Sequence, residues 1–170
     1  ICNGKKFREN RKWWRVTNNA QDISSGLTPM IVFTTLNSDI GVMDSAGNFK
    51  YAYSGLNLVS VAPHALWGID NAWLWHKAQS DLTVASAAWT SFGFGYSFID
   101  FTMLRKGFVV MQDGNFCARL GITESITAGD GWNCVSSSGT LEDFSCGVTG
   151  CFGLVHGILH FRDGITSNSP

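Results

Sequence analysis

One spacing constrains this chain more than any other feature: parts of its second half recur 43 residues apart. Arg119, Gly121, Ile122 and Thr123 stand 43 residues before Arg162, Gly164, Ile165 and Thr166. In the same register, Asp100-Phe101 precedes Asp143-Phe144, and Trp89 precedes Trp132. The clearest copy is the stretch 141–166. It reads as a strand over Leu141–Cys146, a turn over Gly147–Gly150, a strand over Cys151–Val155, a turn at His156-Gly157 and a third strand over Ile158–Arg162. Strand-length runs punctuated by glycine turns are the mark of antiparallel pairing. A period near 40 residues, with three or four short strands in each unit, predicts an all-β fold, a β-propeller or related array.

Two earlier units follow the pattern more loosely. A glycine in an apolar strand is followed nine residues later by a lysine, Gly41 to Lys50 and Gly68 to Lys77. Val110 to Arg119 and Gly153 to Arg162 keep that spacing. Four successive units therefore end on a base. A solvated strand edge is the plainest reading of these cations. A second is hydrogen bonding to sugar hydroxyls or to anionic lipid phosphates, which suits the planar fork of arginine. The repeats span residues 12–54, 55–85, 86–125 and 126–166 of one domain covering 1–170. Residues 1–9 read as the last strand of a further unit, and residues 27–38 as an insertion. Residues 79–88 are the single helix candidate, and they are rich in strand formers.

Composition agrees with a β-rich fold: seven Trp and 12 Phe set against 19 Gly suit aromatic strands and tight turns. A net charge of −1 with no basic stripe argues against nucleic acid as a partner. No apolar run approaches the roughly 20 residues of a membrane-spanning helix. Of the five cysteines, Cys146 and Cys151 bracket a four-residue turn and can staple adjacent strands. Cys117 and Cys134 join the end of one unit to the start of the next, and Cys2 is left over. Zinc at Cys146-x4-Cys151 would need further ligands from Cys134, His156 or His160, and zinc sites usually carry two tight ligand pairs, so the disulfide is preferred. No metal and no cofactor are expected.

The motifs Trp132-Asn133-Cys134-Val135, Gly139-Thr140-Leu141, Ser145-Cys146-Gly147, Gly150-Cys151-Phe152-Gly153 and Phe161-Arg162-Asp163-Gly164 resemble the tectonin repeat, and within it the fish egg lectins. Leu58-Val59-Ser60-Val61 with Leu66-Trp67-Gly68-Ile69-Asp70 is similar to the more general tectonin form. The resemblance covers nearly the whole chain and is densest in the last unit. It implies a secreted β-propeller lectin for N-acetylglucosamine, galactose or related sugars on glycoproteins or bacterial lipopolysaccharide, with a homodimer as a further option. The chain departs from the pattern in two places. Val110 stands where the inner strand usually has glycine, and Leu154-Val155-His156 replaces a polar turn. Family members have five or six blades against four repeats here. The expectation is that a tryptophan-led half-unit of about 25–30 residues is missing from this sequence. The alternative is four blades that close on themselves with residues 1–9 at the seam.

Candidate sugar ligands are placed on the turns between inner and outer strands: Asp70, Asn71, Asp113, Asn115 and His156, with Trp73 or Trp75 as a stacking platform. Trp73 and Trp75 flank Leu74 and so share one face of a strand; packing between blades is their plainer role. Trp67, mid-strand, is expected in the core, as are the unit-opening Trp14, Trp89 and Trp132. Glu142 and Asp143 are adjacent and point to opposite faces of a strand, which rules them out as an acid–base pair. No nucleophile motif is present, so an enzyme is not expected. The rival reading is a non-catalytic propeller that binds proteins; a cytosolic scaffold would keep Cys146 and Cys151 reduced.

Overall fold

The computed structural model describes residues 19–25, 31–43, 49–78, 88–101, 107–111, 113–136, 141–147, 150–163 and 165. They form fifteen strands and, among the described residues, no helix. The strands are β1 (Ala20–Ser25), β2 (Ile31–Thr35), β3 (Asp39–Met43), β4 (Phe49–Ser54), β5 (Leu58–Ala62), β6 (Ala65–Asp70), β7 (Trp73–Ala78) and β8 (Thr90–Phe94). They continue as β9 (Tyr96–Phe101), β10 (Gly107–Met111), β11 (Asn115–Leu120), β12 (Gly131–Ser136), β13 (Asp143–Cys146), β14 (Gly150–Val155) and β15 (Ile158–Asp163). Each sheet is an antiparallel meander in chain order: β1–β4, β5–β8, β9–β12 and the three-stranded β13–β15. The first strands neighbour one another in sequence order, β1 beside β5, β5 beside β9, β9 beside β13. Successive sheets thus stand side by side around a line of first strands, and this is a propeller-type arrangement.

Apolar side chains on facing sheets fill the spaces between them. Val32 and Ile40 meet Val59, Val61 and Leu66 between the first and second sheets. Trp67, Ile69 and Leu74 meet Tyr96 and Cys117 between the second and third. Phe116 and Ala118 meet Phe144 and Cys151 between the third and fourth. Trp67 is fully buried, as its sequence position predicts. The second-strand glycines are needed for close approach. A Cβ on Gly68 would lie 2.2 Å from Leu56, and one on Gly153 2.6 Å from Leu141. In both sheets the leucine two residues ahead of the first strand packs on the second strand's glycine.

Two tight turns carry positive φ at both central residues, Asn71 and Ala72 (47° and 67°) and His156 and Gly157 (50° and 73°). That geometry matches the right-handed twist of the flanking strands. The turns also anchor the links between sheets. Gly95 and Tyr96 donate to the Ala72 carbonyl at 2.9 and 3.1 Å. Gly55 donates to the Ser38 carbonyl at 2.6 Å. Glu142 accepts from the His156 and Gly157 amides at 3.0 and 3.3 Å.

Several sequence-based expectations need correction. Residues 31–35, inside the expected insertion, are strand β2. Gly41 lies on the third strand of its sheet while Gly68 lies on the second, so their common spacing to lysine relates different positions. Asp100 is near the end of β9 and Asp143 opens β13, so the two Asp-Phe pairs are not structural equivalents. Trp89 and Trp132 do not open a sheet. Trp132 is on β12 and Trp89 directly precedes β8, the outermost strands of the preceding sheets. The strand expected at residues 1–9, Trp14, and residues 79–87 of the helix candidate at 79–88 lie outside the described residues.

The unit-end cations also differ from expectation. Lys77 and Arg119, expected on a solvated edge, are buried. The Lys77 ammonium lies over the Trp89 ring, 5.6 Å from its centroid. Arg119 is held between Phe92 and Trp132 at 4.8 and 4.7 Å. Its guanidinium donates to the carbonyls of Ala128, Gly131 and Gly129 at 2.7, 3.2 and 3.2 Å. Burial holds its pKa below the ordinary value, with Tyr96 and Asp130 opposing. Both disulfides are formed: Cys117–Cys134 joins β11 to β12, and Cys146–Cys151 joins β13 to β14.

First strands are tied by side chains as well as by packing. Asp22 on β1 accepts the Val59 amide of β5 at 2.8 Å, and Ser24 accepts the Val61 amide at 3.0 Å. Asp100 on β9 accepts the Cys146 amide of β13 at 2.6 Å. Burial raises the Asp22 pKa above its ordinary 3.8; the Val59 and Ile23 amides pull it down and the Asp143 carboxylate adds to the rise.

Two outcomes follow from these contacts. Arg119→Ala leaves three carbonyls short of a charged donor and is expected to destabilise the fold by about 2–4 kcal/mol, read from urea midpoints. Because Asp22 has a raised pKa in the folded state, its favourable share of stability is fully present below its unfolded pKa. It is lost as pH rises through the folded value. The stability of the parent relative to Asp22→Asn should therefore fall as pH is taken from below 3.8 to neutral. A difference that stays level or grows over that span would contradict it.

Candidate functional site

The β6–β7 hairpin builds an exposed aromatic surface. Trp73 opens β7 opposite Asp70 on β6 and Phe94 on β8. Trp75 lies opposite Gly68 and Ser91. The intervening Leu74 turns into the core and is fully buried, so alternation puts both indoles on the other face. Their ring centroids are 6.4 Å apart, and Phe94 meets Trp73 edge-on at 5.9 Å. Trp75 packs partly against the core between the first and second sheets. Trp73 and Phe94 remain 43% and 60% exposed, although aromatic side chains of this size are usually covered. The pairing of β7 with β8 is irregular between Trp73 and Trp75, and Gly93 there has positive φ.

Short polar groups border this shelf. Asn71 donates to the Asp70 carboxylate at 3.0 Å on the turn next to Trp73. Ser91 accepts the Gly93 amide at 3.3 Å on the far strand. An aromatic surface with a few fixed donors and acceptors is the usual composition of a small-ligand site. Phe94 and Ser91 are absent from the sequence-based candidates. The alternation Phe92-Gly93-Phe94-Gly95 was the available signal for Phe94.

The remaining candidates occupy the corresponding turns of the next two sheets. Asp113 accepts the Asn115 amide at 3.0 Å and its side-chain nitrogen at 2.9 Å. Ser136 donates to the Asn115 side chain at 3.3 Å. His156 is well exposed, with Nδ1 3.6 Å from a Glu142 carboxylate oxygen. All three turns connect the second and third strands of their sheets, so they share one end of the array. The shelf brings Asp70, Asn71, Trp73 and Trp75 together; Asp113, Asn115 and His156 belong to separate turns. Glu142 and Asp143 serve the backbone, the latter accepting the Phe144 amide at 2.8 Å. Among the described residues there is no cluster of metal-ligating side chains.

A second concavity of about 370 Å³ lies between the third and fourth sheets, lined by Phe116, Leu141, Phe144, Cys151, His160 and Arg162 among others. Arg162 on β15 holds the place that Arg119 holds on β11, and it is exposed.

No protein-family model and no curated protein matches this chain. Its fold does match solved β-propellers. Human WBSCR16 aligns with a TM-score of 0.56 at 13% identity, over 85% of this chain and 47% of that one. U3-55K aligns with a TM-score of 0.60 at 8% identity, over 84% and 48%. Prp20p from Saccharomyces cerevisiae aligns with a TM-score of 0.55 at 9% identity, over 86% and 46%. The chain is thus an all-β protein of β-propeller fold that spans under half the length of these structures. At such identities the likeness concerns the fold alone.

Proposed function

We propose that this chain is a carbohydrate-binding propeller of tectonin type, a secreted lectin for N-acetylglucosamine-type or related sugars on glycoproteins or microbial surfaces. The observation that carries the reading is the shelf of Trp73, Trp75 and Phe94. A pyranose presents a C–H face that stacks on an aromatic ring, and hydroxyls at its rim that need short polar partners. Asp70, Asn71 and Ser91 stand at the rim of the shelf. Binding there breaks no bond and asks for no cofactor. The two disulfides support an oxidising compartment, where such bonds persist. The motif resemblance in the last repeat supports the same reading.

A second reading is a propeller that binds proteins. It is favoured by the structural neighbours, since one Prp20 structure has Kap60 bound and another concerns Prp20p binding to Gsp1p and histones. A glycan array separates the two. Binding to N-acetylglucosamine-bearing glycans is expected, with the affinity of Trp73→Ala/Phe94→Ala lowered about tenfold or more. That figure takes roughly 1 kcal/mol for each lost ring contact. Both rings are exposed, so the variant should keep the parental melting curve. An array without any hit would remove the lectin reading; unchanged binding by the double variant would remove the shelf.

A further inference from the structure

The electrostatics of the Trp73 shelf have one sign. Asp70, Trp73 and Phe94 stand directly opposite one another across β6, β7 and β8. Opposed residues share a face of the sheet, with Cβ atoms about 5 Å apart. The indole therefore has the carboxylate on one side and the phenyl ring on the other. Asn71 donates to the Asp70 carboxylate at 3.0 Å and fixes it at the turn. Indole and phenyl faces present the negative side of the ring quadrupole. A carboxylate and two ring faces in one row attract positive charge, and a neutral ligand uses only their apolar surface.

The chain holds its own cations in the same way. Lys77 lies over Trp89 at 5.6 Å, and Arg119 sits between Phe92 and Trp132 at 4.8 and 4.7 Å. Those two cations are buried, whereas Trp73 and Phe94 are 43% and 60% exposed. A Cβ added at Gly93, next to Phe94, would meet nothing within 4 Å, so the strand beside the ring is open to a ligand. The kind of cation follows from solvation. A primary ammonium is strongly hydrated and gives up that water at a cost. A quaternary ammonium carries methyl groups in place of N–H donors, keeps its charge, and buries those methyls on the rings.

We propose that the Asp70–Trp73–Phe94 row binds a quaternary ammonium group of the choline type. Trp73 is the platform, Phe94 the second ring face and Asp70 the counter-ion. The row overlaps the shelf read above as a sugar site, but the inference rests on its charge and not on that reading. A chain that binds no glycan can still bind choline, so the two fail separately.

Titration of the full chain, disulfides intact, with choline chloride tests it, followed by the NMR shifts of the indole N–H groups. Saturation is expected with a dissociation constant of about 1 mM, the scale for a ligand of so few atoms. The uncharged isostere of choline, with carbon in place of nitrogen, should bind at least tenfold more weakly. Asp70→Asn should weaken choline about tenfold and leave the isostere unchanged. An amide still accepts the Asn71 bond, so the melting curve of that variant should stay parental. Phe94→Leu keeps apolar bulk without a ring face and should weaken choline about threefold. Equal affinity for choline and the isostere would overturn the proposal. So would parental choline binding by Asp70→Asn, or no saturable shift with choline at about 10 mM. Free choline and the phosphatidylcholine headgroup carry the same group. Sedimentation with phosphatidylcholine but not phosphatidylglycerol vesicles would place it on a lipid, and choline binding without sedimentation would place it in solution.

Discussion

Trp67 is covered on all sides only because two sheets meet over it. Neither sheet buries its aromatic face alone; each supplies half of an interlayer core and takes the other half from its neighbour. Everything else in the molecule serves that stacking. Gly68 and Gly153 let the link leucines come close enough to seal the gap. Asp22, Ser24 and Asp100 fix the spacing of the first strands by accepting amides from the next sheet. The turns over residues 71–72 and 156–157 hold the links in place. Remove one sheet and the loss is the core on both of its sides, which makes the array cooperative across sheets.

Arg119 and Lys77 show how the outer rim is closed. A buried cation is costly unless it is paired. Here the partners are aromatic faces and, for Arg119, the carbonyls of the loop that precedes the fourth strand. The cation thereby locks the third strand to that loop. Arg162 holds the equivalent position in the last sheet without such a loop described beside it. Among the described residues that sheet has three strands, and Arg162 and the cleft next to it lie on the side where the other sheets carry a fourth.

Much of this was legible in the sequence, and the rest failed for identifiable reasons. Glycine turns and strand-length apolar runs located β5–β7 and β13–β15 closely. Cysteine spacing located both disulfides. The repeat register placed Arg119 and Arg162 at equivalent positions, but periodicity carries no information on burial, so a core arginine read as an edge. It also could not tell that Trp89 and Trp132 belong to the sheets before the units they head. Residues 31–35 looked like an insertion because the first repeat is too divergent to be aligned. At the candidate site, Trp73 and Trp75 were found by alternation along one strand. Phe94 was missed because it reaches the shelf across strands; the alternation over residues 92–95 marks a strand but not the partner it pairs with.

The one-strand offset between repeat and sheet bears on how the molecule is made and how it changes. The third and fourth repeats each end one sheet and start the next, so the second and third sheets are not finished until the following repeat has been synthesised. The second sheet waits for residues 90–94 before its rim is complete. Loss or gain of a whole repeat cuts every affected sheet at the same seam. The first strand of one repeat then meets the last three of another, and the array changes length by one full sheet without any sheet losing a strand.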